Sequence, residues 1–138
     1  MVDVGQLLNG FGPLLMAGDV AALARRYHLP CVIEMHGQQS TKETRAELEE
    51  MLRNYSVHVR EQGVVQISST IQSQGLLTSQ SSFATARLDY LDKAGEVLNR
   101  SLTHYVLRRT GTDWRIAVVS IGRSAGGICH AFLGGSAA

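Results

Sequence analysis

Five histidines, two cysteines and a scatter of carboxylates are the residues of this chain with chemical potential. The histidines are His28, His36, His58, His104 and His130, and no two stand four apart, as a metal-binding pair on one helix face would. His28 and His36 would need the fold to gather them with Glu34 before they could hold an ion, so structural or surface histidines are the plainer reading. No metal and no other cofactor is expected. His104 differs in degree, because Leu102, His104 and Val106 share one face of a strand that carries Arg100 and Arg108 at its ends. If that face lines a pocket, His104 is placed to act as a general base or a hydrogen-bond donor. Glu34, His36 and His104 are therefore the candidate acid–base residues.

Arg87 and Asp89 share a face of the preceding strand, where Arg87 either clamps a carboxylate or pairs within the sheet; the ion pair is the plainer reading. Thr103 and Tyr105 lie opposite His104, so the two sets cannot point into one pocket. Alternation does not decide between them. Cys31, in an apolar run, and Cys129 have no CxxC spacing and read as reduced thiols. No Ser/His/Asp order forms a nucleophile elbow, and Gly122 to Gly127 lacks the strand and helix of a phosphate-binding loop. Lys and Arg number 13 against 12 Asp and Glu, a net charge of +1 that gives no field to draw in nucleic acid or an anionic membrane. The expected partner is a small hydrophobic molecule or another protein.

With 138 residues, 44% hydrophobic and 18% charged, the chain fits one globular domain able to bury its own core. Val4, Leu7, Leu8, Phe11, Leu14 and Leu15 recur at helical spacing and predict an amphipathic helix over 3–17, blemished by Pro13. Gly18 stops it, and Asp19 is placed to cap a second helix that buries Val20, Leu23, Ala24 and Tyr27. Cys31 to Met35 suits a first strand, with Gln38 to Thr41 as its return arm. A third helix follows, with Thr41, Thr44 and Glu47 as available caps, a buried face of Leu48, Met51, Leu52, Tyr55 and Val59, and a Glu49–Arg53 pair outside. From Val64 the period becomes 2. A Ser/Gln-rich strand stretch with a bend or bulge at Gly75 leads to strands over 83–92, 97–109 and 114–121. Residues 123–138, rich in Gly, Ala and Ser, read as a tail. MVDVGQLLNG has no basic segment followed by an apolar one, so the sequons at Asn54 and Asn99 carry no weight and a cytoplasmic location is expected.

Two helices split by Gly18-Asp19, a short strand with Val32-Ile33-Glu34, a third helix, and a meander closing on Asp113-Trp114-Arg115-Ile116 resemble the nuclear transport factor 2-like superfamily. That superfamily includes SnoaL-like proteins and ketosteroid isomerase, and the resemblance covers residues 3–122. It implies an α+β fold in which three helices from the N-terminal half pack on a strongly curved antiparallel or mixed sheet, a cone-shaped barrel. One domain over 1–122 with a tail over 123–138 follows. The resemblance also implies an apolar cavity between helices and sheet, contacted by Phe11, Met35, Tyr55, Arg87, Leu102 and Trp114, and a homodimer through the open sheet face. Isomerase chemistry needs a carboxylate base and hydrogen-bond donors to an enolate. Aligned on Gly18-Asp19 and Tyr27, those positions hold Phe11, Met35 and Thr103 here, and Glu34, one residue away, belongs to the opposite face of its strand.

Three readings result. The first is a SnoaL-like protein that binds a small hydrophobic molecule in an internal cavity. The second is an isomerase, dehydratase or cyclase acting on a hydrophobic carbonyl compound, which a cavity without ionisable side chains would exclude. The third is a non-catalytic protein-interaction module, favoured by a filled cone and an exposed apolar patch.

Overall fold

The computed structural model of the protein describes residues 7–8, 10–35 and 37–124. In chain order its elements are α1 (Phe11–Ala17), α2 (Val20–Ala24), β1 (Tyr27–Met35), β2 (Gln38–Lys42), α3 (Arg45–Glu61), β3 (Gln66–Thr78), β4 (Ser81–Leu91), β5 (Val97–Thr110) and β6 (Asp113–Ser124). The strands form one mixed sheet of six in the order β2-β1-β6-β5-β4-β3. Every pairing is antiparallel except β1 with β6. Three helices on a six-stranded mixed sheet is the expected architecture, but the sheet stays open, with β2 and β3 as edges.

Local sequence explains most of these boundaries. Thr44 caps α3 in a capping box, its hydroxyl accepting from the Glu47 N–H while the Glu47 carboxylate reaches back to the Thr44 N–H. Leu48, Met51, Leu52, Tyr55 and Val59 then form a buried stripe at three- and four-residue steps, each such side chain contributing about 1.5–3 kcal/mol by leaving water. On the outer side Glu49 pairs back to Arg45 at 2.7 Å rather than forward to Arg53.

The first helix differs from expectation. Leu7 and Leu8 are helical, but a turn at Gly10, which has no capping side chain, sets them apart from α1, and residues 3–6 and 9 lie outside the described part. Pro13 does not kink α1, because it falls in the first turn, where backbone N–H groups have no intrahelical acceptor to lose. Gly18, at φ +73°, closes the helix. The buried Ser56 hydroxyl on α3 then donates to the Leu15 carbonyl at 2.6 Å, satisfying one of the end carbonyls. α2 is only five residues long, capped by Asp19, whose carboxylate accepts from the Ala22 N–H. Tyr27 opens β1 instead of finishing α2, so the first strand is longer than Cys31 to Met35. Pro30 sits inside it, where the register with β6 shifts between Tyr27 and Val32.

The Ser/Gln-rich stretch resolves into a hairpin turning at Ser79–Gln80. Gly75 is within β3, opposite Phe83, where a Cβ would come 2.9 Å from the Phe83 ring. In β4 and β5 alternation is strict. Ser82, Ala84, Ala86, Leu88 and Tyr90, and Asn99, Ser101, Thr103, Tyr105 and Leu107, are buried toward the helices. That decides the question alternation had left open: Thr103 and Tyr105 face the cone, while Leu102, His104 and Val106 face out. No helix among the described residues is long and apolar enough to cross a membrane.

Candidate functional site

The candidates separate onto two surfaces. On the outer face of the sheet, register places Gln39, Glu34, Ser120, His104 and Thr85 in one row across five strands. Gln39 donates to one Glu34 carboxylate oxygen at 3.1 Å and Ser120 to the other at 3.0 Å. Those two hydrogen bonds hold the Glu34 carboxyl below the ordinary carboxylate value. The ring Nδ1 of His104 bonds the Thr85 hydroxyl at 2.9 Å. Ser120 directs its proton to Glu34 rather than to His104, so the row has the wrong order for an activated serine. It also lies on the sheet face away from the helices, where no described element covers it to exclude water. His36 lies outside the described residues.

Arg87 and Leu102 are on this same outer face. Asp89 takes Arg100 at 2.6 Å and Arg87 at 3.5 Å, which makes Arg87 a member of an in-sheet ion cluster, the plainer of its two readings. A neighbouring row is apolar, running Val32, Val118, Val106 and Phe83, all half-buried.

Phe11, Tyr55 and Thr103 face inward. All four tyrosines of the chain, Tyr27, Tyr55, Tyr90 and Tyr105, are buried, and the Tyr55 and Tyr90 hydroxyls hydrogen-bond to each other. Burial, with Tyr105, Cys31 and Tyr90 nearby, pushes the Tyr27 phenol up. Trp114, half-buried beside the β5–β6 turn, packs on the edge of the core, and Met35 ends β1 in register with Ile121 and Gln38. Inside the cone, Leu8, Phe11, Gly12, Ile67, Ser69, Leu88 and Tyr105 surround a void of about 10 Å³, room for one water at most.

The larger space is on the flank. Between α1 and the start of β3 runs a groove of about 470 Å³, lined by Gly12, Pro13, Met16, Val65, Gln66, Ile67, Ser68 and Ser69. Gly12, Ile67 and Ser69 line both spaces, so the groove adjoins the interior void. The two elements nearly touch there: a Cβ on Gly12 would lie 2.7 Å from the Ile67 carbonyl oxygen. Apolar side chains, two serine hydroxyls and one carboxamide offer such a site shape and hydrogen bonds but no proton-transfer group. None of these residues was singled out from sequence, although Gly12-Pro13 interrupting an apolar helix face was the visible signal. Among the described residues no three His, Cys, Asp or Glu side chains are grouped to hold a metal ion.

Three helices packed on an open, mixed six-stranded sheet define the cone-shaped α+β class. A family model described as NTF2-like protein (DUF6841) matches residues 3–124, and the chain belongs to that family. Solved structures agree on the fold. An NTF-2 like protein of unknown function from Shewanella oneidensis MR-1 superimposes with a TM-score of 0.69 at 16% identity, over 88% of this chain and 97% of that one. A function unknown protein from Mycobacterium tuberculosis gives 0.66 at 15% identity, over 95% and 82%. A ketosteroid isomerase-like protein from Erwinia carotovora atroseptica gives 0.58 at 19% identity, over 79% and 84%. No curated protein matches the chain.

Proposed function

We propose that this protein binds a small, uncharged, largely apolar molecule in the groove between α1 and β3, and that it does so without acid–base catalysis. The supporting observation is the groove itself. Its volume of about 470 Å³ falls in the range of small-molecule sites, and its described lining carries no Asp, Glu, His, Lys or Arg. A charged ligand buried there would find no counter-ion, whereas a carbonyl or hydroxyl on an apolar body would find Gln66, Ser68 and Ser69. In this reading the ligand sits on the flank of the cone rather than in an internal cavity. The catalytic reading loses support because Glu34 and His104 sit on the open outer face, away from groove and void.

Thermal unfolding in the presence of paired probes tests this, a neutral cyclic ketone against its carboxylate analogue. The ketone is expected to raise Tm and the carboxylate not, with the rise lost in Met16→Trp, which fills the groove. Equal shifts from both probes, or a shift that survives Met16→Trp, would sink the proposal.

A second reading rests on the outer face. The apolar row Val32, Val118, Val106 and Phe83, with Leu102 exposed on the other side of the His104 row, supports a homodimer through the sheet. Monomeric sedimentation of the wild-type chain at micromolar concentration would remove it.

A further inference from the structure

A sheet edge is a row of unpaired backbone donors and acceptors, and proteins guard such edges with charges, prolines, bulges or a covering element. The two edges of this sheet are treated differently. β2 is five residues long, ends at Lys42 and is followed by Glu43 and the α3 cap. β3 is thirteen residues long. From Val64 to Ala86 the sequence has no Asp, Glu, Lys, Arg or Pro. Covering by α1 is local, at the close approach of Gly12 to Ile67. Beyond it Thr70, Gln72, Ser73 and Gln74 are exposed, and Leu76 and Leu77 are 58% and 56% exposed. Two register shifts, between Ile71 and Ser73 and between Leu76 and Thr78, are the guard that remains among the described residues.

We infer that the free edge of β3 over Thr70–Thr78 pairs antiparallel with the same edge of a second copy of this chain. Charge selects that occupant. About a two-fold axis every residue of the strand meets a residue of the same strand, so any charge would lie opposite or near its own like. This strand has none. An axis at Gln74 sets Thr70 opposite Thr78 and Ile71 opposite Leu77, covering the two exposed leucines and matching hydroxyl to hydroxyl. It leaves Val65–Ser69, and with them the groove, uncovered. The inference is independent of the ligand proposed for that groove.

Sedimentation equilibrium across micromolar to millimolar concentration tests it, with Gln74→Lys against Thr112→Lys, a control at the β5–β6 turn. The mean mass of the wild type and of Thr112→Lys is expected to double with concentration, and that doubling to vanish in Gln74→Lys, which sets two ammonium groups face to face. Outer-face association adds equally to all three chains. Amide exchange over Thr70–Thr78 should slow as concentration rises in wild type and Thr112→Lys but not in Gln74→Lys. A mass that Gln74→Lys leaves unchanged, or concentration-independent exchange in β3, overturns the inference.

Discussion

Replacing Gly12 with alanine separates two views of why a glycine stands in α1. If it were only a weak point in a short helix, Ala would stabilise the protein by up to about 1 kcal/mol through helix propensity. The structure predicts the opposite sign. A Cβ there would lie 2.7 Å from the Ile67 carbonyl oxygen, where ordinary contacts begin at 3.4 Å, and a backbone oxygen in a paired strand cannot swing aside. α1 must therefore lift off β3 by several tenths of an ångström, disturbing the packing of the buried Phe11 and Leu15. Overpacking of that kind costs about 1–3 kcal/mol, which less the propensity gain leaves about 1 kcal/mol of destabilisation. For a chain of this length that is a fall in Tm of roughly 3–6 °C, readable by calorimetry or by circular dichroism. A rise in Tm would refute the close approach and with it the floor of the groove.

Two further outcomes follow from the same packing. Tyr55→Phe and Tyr90→Phe should each destabilise by about 0.5–1.5 kcal/mol, and the double variant by less than their sum, because both changes remove the same bond; strict additivity in urea unfolding would deny the shared bond. Burial pushes the Cys31 thiol up to about 11 from 9.0, so its contribution to stability is complete below the unfolded value and is lost as pH rises through the folded one. Cys31 should resist alkylation in the native state across that window, and rapid native labelling of Cys31 at about pH 10 would contradict its burial.

The parts of this fold legible in the sequence are those set by local chemistry. Thr44 with Glu47, Gly18 with Asp19, and the stripe from Leu48 to Val59 each announced an element that the structure contains. What could not be read was set by partners distant in sequence. Tyr27 joins a strand rather than a helix because β6 is there to pair with it, and Pro30 is tolerated in β1 because the register with β6 is broken at that point. His104 was misleading for a similar reason: strict alternation named two faces, and only the packing of α1 and α3 on one of them chose Thr103 and Tyr105 for the interior. The groove was harder still, since its walls come from α1 and from the start of β3, about fifty positions apart, and neither carries a reactive group there.

The most direct test of the central claim is an amide-resonance titration of the isotopically labelled chain with the neutral cyclic ketone. The groove predicts shifts at Gly12, Met16 and Val65 to Ser69, with smaller ones behind them at Leu88 and Tyr105. Shifts at Arg87, Leu102 and His104 on the outer face, or none at saturating ketone, would contradict it.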